Sequence, residues 1–152
     1  MDNLENVDNH TVQLSVGSKS KYLESFAIGD IYPGMLLLAE PGGQVFAHNV
    51  ADSTAEAFFA VENIYHGKSI DDVYSDGQRV MARICQHGDI VLCYVPIGTA
   101  IIVGTVLCSS GNGMLHTWET SFPYSAVVGI SMEKLNGGVP VEADTRVRVK
   151  IF

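Results

Sequence analysis

The chain is poor in charged residues. Only 17% of its 152 residues are charged, against about 25% in an average soluble domain. So few solvated groups predict that another protein covers part of the surface. Acidic residues outnumber basic ones by 17 to 9, which leaves a net charge of −8. This balance argues against a nucleic-acid partner, because binding a phosphate backbone needs a basic patch.

Long apolar runs are also missing. No stretch approaches the ~20 residues that cross a membrane, so no membrane partner is expected. The acidic start, MDNLENVDNH, does not resemble a signal peptide. The cysteines are three, an odd number, and all lie in apolar runs. Buried thiols in a reducing compartment explain them best. They are Cys85, Cys93 and Cys108.

Catalytic and metal-binding motifs are not found. Asp71 and Asp72 are adjacent, and neighbouring side chains on a strand point apart. Structural zinc sites bring ligands in closely spaced cysteine pairs, which the grouping of Cys85, His87 and Cys93 lacks. The sequence therefore predicts no enzyme, no metal and no cofactor. A ligand-binding or carrier β-domain with its site near Cys85 and His87 stays open as the alternative.

Turn signals divide the segment Gly77–Leu115 into short apolar runs. Glycine, asparagine and proline recur there every eight to ten residues or so, and no window sustains a helical repeat. This spacing predicts an all-β barrel or sandwich, and the length predicts one domain. Upstream, Met35–Ala39 and Gln44–His48 have the pattern of a hairpin.

The segment around Phe58 has two interpretations. Ser53 and Glu56 fit a helix-starting capping box. The following run is rich in aromatic and β-branched residues, which favour strands. Its length favours a strand over about Ala57–Asn63.

The N-terminal residues are expected to form an arm. Residues 1 to about 10 are acidic and carry few apolar anchors. Apolar and polar residues then alternate, as in a half-buried strand, which could pair with another chain rather than with its own sheet. The alternating residues are Thr11, Val12, Gln13, Leu14, Ser15 and Val16. Residues 1–26 are assigned to this arm and residues 27–152 to a β-barrel domain.

The last strand, TRVRVKI, alternates strictly. Arg146, Arg148 and Lys150 share one side, which is either a solvated outer face or a basic stripe that meets acidic groups on a neighbouring subunit. Trp118, the only tryptophan, lies in a longer connection. These four residues are the candidates for subunit contacts.

The order of segments resembles the capsid decoration, or cement, proteins of tailed bacteriophages. The series runs IYPGMLLLAEPGGQVFAHN, FFAVENIYHGKSIDDVYSDGQRV, GTAIIVGTVLCSSGNGML, AVVGISMEKL and TRVRVKI. Its most specific parts are Gly67–Val80, with Ile70, Asp71, Asp72 and Tyr74, and the Ile101–Gly104 run.

This resemblance implies a small β-barrel or β-tulip-like domain with an extended N-terminal arm. Such proteins are usually homotrimers that bind the outside of an expanded capsid and brace its capsomers. The partner would be the major capsid protein, to which Thr11–Val16 would add a strand. The protein would be made in the host cytoplasm and located on the virion exterior. A head-fibre or tail component of the same virion is the related alternative.

Overall fold

A computed structural model describes residues 12–15 and 21–152. In these residues the regular structure consists of β-strands and short 3-10 turns, with no α-helix. The predicted all-β class is confirmed. The described residues also contain no helix with the length and apolarity needed to cross a membrane.

Eleven strands are described, and they form two sheets. The six-stranded sheet has the order β1-β7-β11-β10-β8-β9, and the five-stranded sheet has the order β3-β4-β2-β6-β5. All pairs are antiparallel except β2 with β4. The strands are β1 Gln13–Ser15, β2 Lys21–Ala27, β3 Leu37–Ala39, β4 Gln44–Ala47, β5 Phe58–Val61, β6 Arg79–Ile84, β7 Ile90–Val95, β8 Val106–Ser109, β9 Leu115–Thr117, β10 Val127–Ser131 and β11 Thr145–Ile151.

One hydrophobic core joins the two sheets into a barrel-like domain. The six-stranded sheet contributes alternate residues, since every second side chain of a strand points to the same face. Val147, Val149 and Ile151 of β11 are almost completely buried in this core. The five-stranded sheet contributes Phe59 and Val61 of β5. Burial of this face fixes the register of β11, because a shift by one residue would expose its valines.

A second core covers the other face of the five-stranded sheet. Phe58 and Ala60 point into it, while Phe59 and Val61 point into the first core. All four residues of β5 are therefore buried, which explains the continuous apolar run in the sequence. The strand predicted over Ala57–Asn63 is confirmed.

Several local predictions are also settled. The capping-box helix is wrong, since Ser53 lies in a turn and donates from Oγ to the carbonyl of Val50 at 3.1 Å. The predicted hairpin is present as β3 and β4, and the three cysteines are buried and free.

Residues 21–26, which were assigned to the arm, belong to β2 and pair with β6. Residues 1–11 lie outside the described part.

Gly34 positions a loop against the six-stranded sheet. Its φ is +99°, and a Cβ there would lie 2.8 Å from the carbonyl oxygen of Leu92. Only glycine combines this left-handed backbone with such a close approach. The loop that precedes β3 therefore packs on β7 and β11, next to Arg146.

Candidate functional site

The predicted arm strand pairs with its own sheet. Gln13–Ser15 forms β1 at the edge beside β7. Val12 is fully buried, and its N–H donates to Oε2 of Glu62 at 3.1 Å. Its carbonyl accepts from the N–H of Leu92 at 2.6 Å. Strand addition to another protein through the backbone edge that pairs with β7 would therefore require β1 to leave β7. Thr11 and Val16 lie outside the described residues.

Arg146 joins the loop at Ile70 and Asp71 to the six-stranded sheet. Its guanidinium donates to Oδ1 of Asp71 at 3.1 Å and to the carbonyl of Ile70 at 2.7 Å. It also lies over the ring of Tyr94, 4.5 Å from the centroid. Only 17% of its side chain is exposed. Arg146 is therefore committed to partners within the chain.

Arg148 is committed in the same way. Its side chain is 13% exposed and pairs with the carboxylate of Glu133 at 3.3 Å. Its backbone N–H donates to the other oxygen of the same carboxylate at 3.0 Å. At Arg146 and Arg148 this side of β11 is thus neither a solvated face nor a free basic stripe. Lys150 is exposed.

Trp118 forms part of an exposed aromatic pair. Its Nε1 donates to the carbonyl of Pro123 at 3.1 Å, and its ring stacks on Tyr124 with centroids 5.2 Å apart. Tyr124 is 84% exposed. Trp118 itself is half-buried. Aromatic residues are enriched in contact patches, and the candidacy of Trp118 as an interface residue stays a prediction.

A surface that the sequence did not predict lies where β2 faces β6. Tyr22 pairs in register with Arg83, and Phe26 with Arg79. The guanidinium of Arg83 lies 3.5 Å from the ring centroid of Tyr22, and that of Arg79 lies 5.8 Å from that of Phe26. Arg79 also pairs with Glu24 at 3.2 Å. We call these five residues the aromatic–arginine surface.

The aromatic–arginine surface has the chemistry of a protein interface. Tyr22 and Phe26 are about half exposed, at 44% and 50%. Aromatic and arginine residues are enriched at interfaces and among the residues that carry most of the binding energy. The stacked guanidinium groups hold the rings in place before any partner binds. The alternation of Tyr22, Glu24 and Phe26 is the sequence signal that could have revealed this face.

The adjacent carboxylates Asp71 and Asp72 have separate partners. Asp71 pairs with Arg146. Asp72 accepts from the N–H of Ser69 at 2.6 Å, and this hydrogen bond lowers the pKa of its carboxyl group. Because each carboxylate is held by a different partner, the two do not have the paired geometry of an acid–base dyad.

Cys85, His87 and Cys93 do not form a site. Cys85 and Cys93 are buried in the first core, whereas His87 is exposed and lies edge-on to Phe152. Burial, with the charge of Asp89, raises the pKa of the Cys85 thiol to about 12. This thiol is therefore a poor nucleophile and a poor ligand at neutral pH.

A different set of metal-ligating side chains converges in the described part of the chain. The ligand atoms of Asp52, Cys108 and His116 all lie within 4.8 Å of one another. Sequence reasoning missed this set because Asp52 is 56 residues from Cys108 and 64 from His116. A correct register for the β8–β9 hairpin would have placed two of the three together.

The comparisons with known proteins give one line of evidence. No protein-family model matches the chain, and no curated protein sequence matches it. The fold is similar to the crystal structure of the N base of the head fibre gp8.5 of bacteriophage phi29, with a TM-score of 0.55. The match covers 88% of this chain and 95% of that chain at 13% sequence identity. At this identity the likeness shows a shared fold.

Proposed function

We propose that the protein is a structural component of a tailed-bacteriophage virion, bound to the outside of the head. The observation that carries this proposal is the fold likeness to a head-fibre base, which extends over 88% of the chain. The order of sequence segments points independently to capsid decoration proteins. In this role the protein is not an enzyme, because its work is done by contact surfaces.

We place the attachment to the shell on the aromatic–arginine surface. A capsid protein offers a large polypeptide surface, and arginine can bind its carboxylates and backbone carbonyls through several donors at once. Tyr22 and Phe26 provide apolar area beside these donors. A single contact of this size is weak, but many copies on one shell act together.

The arm has a second proposed role, in which Thr11–Val16 adds a strand to the capsid protein and braces neighbouring capsomers. In the described part of the chain three residues form β1, and their pairing with β7 is irregular between Gln13 and Ser15. This irregularity interrupts the hydrogen-bond ladder, which lowers the cost of an exchange of partners. Burial of Val12 is the main cost of its release.

This function can take two forms. The protein is either the base of a longer fibre or a cement protein. A cement protein raises the temperature at which the shell breaks, whereas a fibre base attaches another protein to the shell. The likeness to a head-fibre base favours the fibre form, and the sequence resemblance favours cement. A homotrimer fits both forms and is tested by light scattering of the purified chain.

The experiment is co-sedimentation of the purified chain with expanded heads that lack it. We expect saturable binding to the heads and no binding to free DNA. Deletion of residues 1–16 is expected to weaken sedimentation, because the aromatic–arginine surface is kept and the arm is lost, whereas full-length Val12→Ala, which loosens β1 on β7, should sediment like the wild type. If the deleted chain sediments as well as the full-length chain, the proposed role of the arm is wrong. If the full-length chain does not sediment, the proposed function is wrong.

A further inference from the structure

Cys108 and His116 face each other across the β8–β9 hairpin. They form a register pair between the neighbouring pairs Leu107–Thr117 and Ser109–Leu115. Directly opposite residues of antiparallel strands have Cβ atoms about 5 Å apart and point to the same face. Because Leu107 and Leu115 are buried in the first core, Cys108 and His116 point to the opposite side of the sheet.

A turn brings Asp52 to this pair. Its N–H donates to the carbonyl of Ser109 at 3.0 Å, which fixes the turn against the end of β8. Its Oδ1 lies 2.5 Å from Nε2 of His116 and 3.8 Å from Sγ of Cys108. The three side chains thus come from three separate segments and meet at one carboxylate oxygen.

We propose that Asp52, Cys108 and His116 bind one divalent metal ion of the zinc class. Bonds of 2.0 to 2.3 Å at tetrahedral angles separate ligand atoms by about 3.3 to 3.6 Å. The Asp52–Cys108 distance of 3.8 Å is already close to this range. The hydrogen-bonded Asp52–His116 pair has to open by less than one bond length, which a small side-chain rotation achieves.

The ligand set selects the metal. One sulfur, one imidazole nitrogen and one carboxylate oxygen suit Zn²⁺, while Mg²⁺ and Ca²⁺ prefer oxygen ligands alone. A thiolate and a carboxylate together neutralise a divalent ion. Since the side chains of Asp52 and His116 are about one-third exposed, at 33% and 31%, the fourth position is open to water. Binding transfers the thiol proton of Cys108 to solvent.

The geometry does not fit a cysteine nucleophile. The thiol of Cys108 points at Asp52 rather than at the imidazole of His116, so the imidazole that activates the thiol in Cys–His nucleophiles is not placed to remove its proton. Burial, and then the charge of Asp52, raises the pKa of this thiol to about 12. A bound metal ion would favour the thiolate over the protonated thiol, because it stabilises the negative charge on sulfur.

The test uses Co²⁺ as a spectroscopic probe on the full-length, chelator-treated protein under reducing conditions. We expect one Co²⁺ per chain, with a thiolate-to-cobalt charge-transfer band and the intense visible bands of tetrahedral coordination. Zn²⁺ should displace the Co²⁺ and raise the unfolding temperature of the chain. A wild-type protein without the charge-transfer band would overturn the proposal.

Matched variants locate the site. Cys108→Ser should lose the charge-transfer band, and His116→Gln and Asp52→Asn should weaken binding at least about tenfold, the lower limit for even an indirect partner of a metal. Cys85→Ser and His87→Gln change the same residue types elsewhere and should bind like the wild type. Far-ultraviolet circular dichroism checks that each variant folds. A band that survives in folded Cys108→Ser, or disappears in Cys85→Ser, would contradict the assignment.

Discussion

Two pairs of arginines, each on one face of a strand, have different surroundings in this molecule. Arg146 and Arg148 lie on β11 and bind the loop at Asp71 and the carboxylate of Glu133. Arg79 and Arg83 lie on β6 and rest on the exposed rings of β2. The first pair makes its hydrogen bonds to groups inside the fold, whereas in the second pair Arg79 is exposed and Arg83 is half-buried, and both lie against exposed aromatic rings. The difference shows that a basic alternation in a strand does not by itself indicate an interface.

The largest effect on stability is expected at Arg146. Arg146→Ala removes the donors to Asp71 and Ile70 and should lower the free energy of unfolding by about 3 kcal/mol, since hydrogen bonds to charged groups contribute most when buried. Urea denaturation measures this change. Asp71→Asn is the control, and it should cost less than about 1 kcal/mol because this carboxylate is exposed. Equal losses in the two variants would mean that the hydrogen bond from Arg146 to the carbonyl of Ile70 does not help to hold the loop on the sheet.

Arg148 should show coupling to its carboxylate. Arg148→Ala leaves Glu133 without its cation, and we expect a loss of about 2 kcal/mol. A double-mutant cycle with Glu133→Gln should give a coupling energy of about 1 kcal/mol. Additive losses would mean that the pair contributes nothing specific, and that β11 could offer Arg148 to a neighbouring subunit after all.

His48 is a buried basic side chain that, unlike Arg146 and Arg148, has a hydroxyl rather than a carboxylate as its side-chain partner. It is 1% exposed, its Nδ1 lies 2.7 Å from Oγ of Ser109, and burial lowers its pKa below the usual 6.5. In the window between the two pKa values the unfolded chain binds a proton that the folded chain does not. Stability should therefore fall as the pH drops below about 6.5.

The check on His48 is urea denaturation between pH 7.5 and 5.5 (about one unit on either side of the free-histidine value). His48→Gln should remove part of the acid-side loss while lowering stability at neutral pH. His66→Gln, at an exposed histidine, is the control and should leave the slope unchanged. An unchanged slope in His48→Gln would show that other groups cause the pH dependence.

The smallest effect on stability is expected at Arg79 and Arg83. The double variant Arg79→Ala/Arg83→Ala should cost about 1 kcal/mol, since the ion pair of Arg79 is exposed and both arginines lie against rings that are themselves about half exposed. Thermal unfolding measures it against Arg146→Ala. A loss as large as that of Arg146→Ala would remove the contrast between the two arginine pairs.

The sequence predicted the strands whose residue pattern follows their burial directly. The alternation in β11 and the apolar run of β5 each correspond to a burial pattern that the pleat of a strand imposes. β2 was missed because Tyr22 and Phe26 are exposed aromatic residues, so its apolar residues do not mark one buried face. The roles of Arg146 and Arg148 depend on partners 75 and 15 residues away, and local patterns carry no information about such contacts.

The candidate sites were less accessible to sequence reasoning than the fold. The subunit-contact residues were chosen from the basic side of β11, which the structure uses internally for Arg146 and Arg148. To predict the Asp52–Cys108–His116 set, one would need the register of the β8–β9 hairpin and the position of a turn that is distant in sequence. Of these two, only the register has a local sequence signal. Glycines in the connection between β8 and β9 indicated a turn in the sequence. They did not indicate which residues of the two strands lie opposite each other.

The most direct measurement compares two charge-matched variants in binding to phage heads. Arg79→Ala/Arg83→Ala and Lys134→Ala/Lys150→Ala each remove two positive charges, the first from the aromatic–arginine surface and the second from two exposed lysines. If the aromatic–arginine surface attaches the protein, the arginine variant should bind at least about tenfold more weakly, as for one lost hot-spot residue. The lysine variant should bind like the wild type. Equal affinities for the two variants, or a loss confined to the lysine variant, would contradict the account.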